Sequence, residues 1–167
     1  MRDSRFFLLF ALLALAGCAT PPSSHLPAQR PSFPAEALIT QRGVLTARGR
    51  QFTLNGYLAR SETRGQRLIV TENFGNVLAD VLVRPDGSIA VLRANRPLRR
   101  AWAQRYVAAD LQCIFGHGSD AECPGRMLTP THFLIERRWY KLDLQIVEIK
   151  PGPQSASLFE AKSPESK

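Results

Sequence analysis

Lysine, histidine and cysteine are scarce in this chain, and no apolar run in it is long enough to cross a bilayer. Only Lys141, Lys150, Lys162 and Lys167 of the 22 basic residues are lysines; the rest are arginines. The three histidines are dispersed: His25 in a proline-rich stretch, His117 between two cysteines, His132 at a strand start. Each reads as an ordinary surface or core residue rather than a catalyst. Gly-x-Ser-x-Gly, His-Glu-x-x-His and phosphate-cradling glycine loops are all missing. Nothing sets a nucleophile beside a base and an orienting group, so an enzyme, a metal centre or a cofactor is not expected. Nucleic-acid recognition motifs are missing too, and nucleic acid is not an expected partner. The longest apolar run, Phe6 to Ala16, has eleven residues, whereas a spanning helix needs about 20. No internal repeat occurs.

What is present begins at the N-terminus. Arg2 and Arg5 precede the apolar run, which closes on Leu15-Ala16-Gly17-Cys18. A basic start, a short apolar core and small residues before a cut describe an export signal over residues 1–17. The last four residues resemble the lipobox of bacterial lipoproteins. That resemblance implies that Cys18 is lipidated and becomes the first residue of the mature chain. Aspartate just after the cysteine would imply retention in the inner membrane. Ala19 stands there instead, so the resemblance implies the periplasmic face of the outer membrane. Two or more acyl chains, each methylene contributing about 0.8 kcal/mol, would hold the protein on the membrane stably. Without residues 1–17 the chain keeps an excess of basic over acidic residues. In an exported protein that allows a weak attraction to anionic lipid head groups.

Beyond the anchor only Cys113 and Cys123 remain. In an oxidising compartment such a pair reads as a disulfide closing a small loop, worth roughly 2–3 kcal/mol. Free thiols, or a metal site drawing on His117, Asp120 and Glu122, are the alternatives.

Residues 18–34 combine the lipidated cysteine with a stretch rich in proline and serine, read as a semi-extended tether. A similar composition after Pro151 reads as a disordered tail, residues 151–167. The folded unit expected between them is 35–150. Within it period-two alternation is common: Phe52, Leu54, Gly56 and Leu58; Leu68 and Val70; Val77 to Val83; and Tyr140, Leu142, Leu144 and Ile146. Arg84-Pro85-Asp86-Gly87 is a specific turn signal, and Arg48-Gly49-Arg50 and Thr63-Arg64-Gly65-Gln66 join neighbouring strands. Between Leu98 and Phe115 the period lengthens, with Leu98, Trp102, Tyr106, Ala109 and Cys113 on one helical stripe. Asp110 on this helix reads as a structural carboxylate, either the partner of an arginine or a cap on the neighbouring strand. Strand patterning resumes from Met127 to Ile135 and from Trp139 to Ile149. The expected architecture is α+β and mainly β: a curved antiparallel sheet with one main helix in its concave face.

That order, with the lipobox, Tyr106-Val107-Ala108-Ala109-Asp110-Leu111-Gln112 and Tyr140-Lys141-Leu142-Asp143-Leu144-Gln145-Ile146, resembles an uncharacterised bacterial lipoprotein family with a LolA/LolB-like half-barrel, found among aryl-polyene lipid synthesis genes. The chain departs from that family at Phe115-Gly116-His117-Gly118, where an aromatic-proline pair is usual. The resemblance implies a cavity that shelters a lipid, an aryl-polyene lipid or a lipoprotein acyl group for transport or envelope insertion. The residues expected to line it are Phe52, Leu54, Leu68, Val70, Val81, Trp102, Tyr106, Tyr140, Leu142 and Leu144. The competing expectation is that these side chains fill one another's space, leaving an envelope interaction or assembly protein with a solid core and protein partners.

Overall fold

The computed structural model describes residues 32–96, 98–116 and 123–160. Eight strands form one antiparallel sheet: β1 (Ala37–Ala47), β2 (Arg50–Ser61), β3 (Gly65–Glu72), β4 (Val77–Val83), β5 (Ile89–Ala94), β6 (Gly125–Thr129), β7 (His132–Arg137) and β8 (Tyr140–Pro151). Their spatial order is β5-β4-β3-β2-β1-β8-β7-β6. Sequence neighbours therefore pair throughout, except that β5 and β6 lie at opposite edges and β8 returns to the free side of β1. The sheet is open and curved, and its edges are β5 and β6.

Turn chemistry sets these pairings. Arg48 and Gly49 both have positive φ, 51° and 73°, and join Ala47 to Arg50 across a closed ladder. Two left-handed residues in a two-residue loop match the twist of the flanking strands. At the β4–β5 turn, Gly87 at φ 80° donates to the Arg84 carbonyl at 2.9 Å, while Asp86 accepts from the Ser88 N–H at 2.8 Å. One stretch expected as a single strand, Met127 to Ile135, is a hairpin instead. Pro130 and Thr131 form a tight turn between β6 and β7, because proline cannot donate to a ladder.

One helix, α1, spans residues 100–115 and lies against the sheet. It is α-helical over Arg100–Trp102, π-helical over Ala103–Val107 and α-helical again over Ala108–Phe115. Ala103 and Ala108 are fully buried, so the backbone of α1 approaches β4 and β5 closely. At its far end the Gln66 side-chain amide donates to the otherwise orphaned Phe115 carbonyl at 3.3 Å. Cys113 and Cys123 stand at disulfide distance, Cα–Cα 5.3 Å, and link the end of α1 to the start of β6. Their sulfurs pack beside Gly125. His117, Asp120 and Glu122 lie outside the described residues, as do Cys18 and His25.

The folded unit is wider than 35–150. Phe33 is buried against Phe115, ring centroids 4.9 Å apart, so the last residues assigned to the tether belong to the core. At the other end β8 runs through Pro151, and a short 3-10 turn at Ala156–Phe159 follows. Arg67 holds that segment on the sheet by donating to the Leu158 carbonyl at 2.7 Å. The same guanidinium forks onto Asp80 at 2.9 and 2.7 Å. Among the described residues no helix is long and apolar enough to cross a membrane.

Candidate functional site

Between α1 and the concave face of the sheet lies an apolar cleft. Its walls are Leu45 of β1, Leu54 of β2, Leu68 and Val70 of β3, Tyr140, Leu142 and Leu144 of β8, and Leu98, Trp102, Val107, Leu111, Ile114 and Phe115 from the helical side. The cleft is narrow: its cavity volume is about 70 Å3, below the roughly 300–1,000 Å3 typical of small-ligand sites. Alternation along the strands builds this lining. The registers Leu45↔Leu142 and Gly43↔Leu144, with Gly43↔Leu54, bring every second residue of β8, β1 and β2 to one face. Glycine at 43 and 56 keeps the floor low, since a Cβ at Gly43 would meet the Leu144 and Leu142 side chains at 3.2 and 3.4 Å.

Seven of the ten residues expected to line a cavity line this cleft: Leu54, Leu68, Val70, Trp102, Tyr140, Leu142 and Leu144. The other three lie elsewhere. Val81 is fully buried in the packed core. Phe52 is half-buried outside the cleft, with the Arg50 guanidinium 5.6 Å above its ring. Tyr106 is displaced by the π-helical segment. There the Ala108 N–H bonds the Ala103 carbonyl five residues back, so one extra residue enters the turn. The lining stripe consequently steps from Trp102 to Val107, not to Tyr106, and continues through Leu111 to Ile114 and Phe115. A regular 3.6-residue period cannot foresee that step.

Where α1 meets β7 and β8, a polar knot borders the cleft. The Asp110 carboxylate, 6% exposed, accepts from Arg137 Nε and Nη2 at 3.0 and 2.7 Å through Oδ1. Its Oδ2 accepts from the Tyr140 hydroxyl. Burial pushes the Asp110 carboxyl above its ordinary range, against the pull of Tyr140 and Arg137. Burial, reinforced by the Asp110 charge, also holds the Tyr140 hydroxyl protonated far beyond its usual range. Burial works against the Arg137 guanidinium, but its bonds to Asp110 outweigh it and raise its pKa. Trp102, Tyr106 and Tyr140 pack around the knot with ring centroids 5.1–5.8 Å apart, and Arg137 lies 5.6 Å over the Tyr106 ring. Both carboxylate oxygens of Asp110 are thus engaged in holding helix to sheet. The structural reading of Asp110 as an arginine's partner is the geometry observed.

The cleft also contains a polar residue that sequence patterning passes over. Gln41 of β1 lines it, is 3% exposed, and its Oε1 is buried without a hydrogen-bond partner. An unpartnered buried amide oxygen costs about 1–3 kcal/mol. The signal was available: Gln41 falls on the Ala37, Ile39, Leu45 face, a polar residue inside an apolar alternation.

His132 lies apart from the cleft, its Nε2 2.7 Å from Asp143 Oδ1 on neighbouring strands. Among the described residues no cluster of three or more His, Cys, Asp or Glu side chains is arranged to hold a metal ion. No protein-family model matches the chain, and no curated protein matches it.

Proposed function

We propose that this chain is a lipid-anchored envelope protein that binds one hydrophobic chain reversibly, for transport or insertion at the periplasmic face of the outer membrane. The cleft between α1 and the sheet is the observation that carries this reading. Its wall is leucine, isoleucine, valine and aromatic side chains, and each methylene moved from water into such a wall contributes about 0.8 kcal/mol. A lipid tail, an aryl-polyene lipid or the acyl group of a lipoprotein fits that chemistry. The engaged state of Asp110, Arg137 and Tyr140 favours a binding role over a catalytic one. The Leu15-Ala16-Gly17-Cys18 signature supports anchoring through Cys18, and the resemblance to LolA/LolB-like half-barrels supports handling of lipids.

A second reading, an envelope interaction or assembly protein, draws on Phe74 and Trp139. They are 91% and 61% exposed, on the turns after β3 and β7 at one end of the sheet. Exposed aromatic tips of this kind suit a partner surface.

Native mass spectrometry of the chain from Ala19 onward, made in a bacterial periplasm, separates the two. A retained mass of lipid size, released by organic solvent, is the expected result. A protein that stays ligand-free after incubation with envelope lipids would overturn the carrier reading and direct attention to Phe74 and Trp139.

A further inference from the structure

We infer that the molecule held in the cleft carries a neutral hydroxyl part-way along its apolar body, and that Gln41 is the side chain that reads it. This rests on the carrier reading above and specifies its ligand. Three features of the fold converge on Gln41. Its cross-strand partner on β2 is Gly56, and a Cβ there would come within 2.6 Å of Gln41 Cγ, so the glycine provides the room that the amide occupies. On its other side the β1–β8 ladder shifts register between Thr40 and Gln41: Thr40 pairs with Glu148 and Gln41 with Ile146. Val147 is the extra residue, turned outward and 61% exposed. Bulges of this kind re-aim neighbouring side chains and recur beside binding sites. Finally, the amide so placed is almost wholly buried, lines the cleft, and has an oxygen with no partner among the described residues.

The chemistry of the missing partner follows. Gln41 Oε1 needs a donor, which an ester or ketone oxygen cannot supply. A carboxylate in the cleft would need a cation, and no lysine or arginine lines it. An ammonium would need a free carboxylate, but both oxygens of Asp110 are already bonded to Arg137 and Tyr140. A hydroxyl both donates and accepts, so it satisfies a carboxamide in either orientation. The leucines around Gln41 then require that the rest of the ligand be hydrocarbon.

The test is competition binding to the purified protein, with a fluorescent polyene fatty acid displaced by octadecanoic acid and by hydroxyoctadecanoic acids substituted at successive carbons. Gln41→Met, which keeps the length and removes the polar atoms, and Gln41→Leu are measured beside the wild type. At least one hydroxylated isomer is expected to bind the wild type about tenfold more tightly than octadecanoic acid. That preference should vanish in both variants, whose thermal midpoints should equal or exceed the wild type's. Equal binding of all the acids, or a preference that survives Gln41→Met, would overturn the role of Gln41 while leaving an apolar-chain carrier intact. Lower midpoints in both variants, with all binding lost, would assign Gln41 to packing and overturn its role as reader. Failure of every acid to bind the wild type would remove the carrier reading and this one together.

Discussion

Asp110 shows how a single residue can hold an element in place at an energetic cost. Its burial disfavours the carboxylate, and Arg137 and Tyr140 only partly offset that. The folded state therefore binds the Asp110 proton more tightly than the unfolded chain does. Stability should fall as pH rises from the ordinary aspartate range through the raised value, because there the native state holds more protons. Urea midpoints measured from about pH 3 to about pH 7 should show that fall in the wild type and lose this component in Asp110→Asn. Asp110→Ala removes the acceptor altogether and leaves the Tyr140 hydroxyl and the Arg137 guanidinium without it. At neutral pH it should destabilise the protein by about 2–3 kcal/mol, at or below the roughly 3–5 kcal/mol of a fully buried pair, because Arg137 reaches partly into solvent. A midpoint unchanged in Asp110→Ala would contradict this assignment. The bond from Asp110 to an arginine was foreseeable from sequence as a class of interaction. Its identity was not, since Arg137 is 27 positions away and becomes a neighbour only through packing.

At the scale of elements, strands were legible where alternation is clean and turns are chemically marked. Tyr140 to Ile146 alternates with Lys141, Asp143 and Gln145, and β8 follows it. Arg84-Pro85-Asp86-Gly87 marks its turn with a rigid residue and a left-handed one. Legibility failed where a local irregularity resets the count. The π-helical segment Ala103–Val107 carries Val107 onto the cleft and rotates Tyr106 away. The bulge opposite Gln41 does the same within the sheet. Deleting the exposed Gln104 should restore a regular helix and turn Trp102 off the lining. The expected result is a changed tryptophan emission together with weakened uptake of a fluorescent fatty acid; unaltered emission would argue against the register account. The Cys113–Cys123 link is a separate matter of stability. Replacing both by serine should lower stability by about 2–3 kcal/mol under oxidising conditions, measured by denaturant titration, while leaving chain uptake intact.

At the scale of the whole fold, the described residues form an eight-stranded open sheet that wraps one helix, and its two faces are treated differently. The concave face is shared between a packed core, where Val81 and Ala103 are fully buried, and the cleft. The sequence offered a cavity or a filled core for one set of side chains; in the fold Val81 is packed core, while seven of the others border a cleft with about 70 Å3 of free space. Apolar alternation identifies the inward face but carries no measure of how far the helix stands from it, which is why Val81 and Leu68 looked equivalent. The outer face keeps residues 152–160 through Arg67. Arg67→Ala should speed amide exchange in that segment without slowing uptake of a ligand on the opposite side.

The most direct test of the cleft as a ligand site is uptake of a fluorescent polyene fatty acid by the wild type and by Val70→Phe, with thermal midpoints recorded on the same samples. Val70 lines the cleft, so a larger side chain there has empty space to enter. Binding by the wild type, its loss in Val70→Phe and an undiminished midpoint are the expected results. A lowered midpoint in Val70→Phe, reflecting an overpacking cost of about 1–3 kcal/mol, with no uptake by the wild type, would mean that the space is core and that the protein carries no chain.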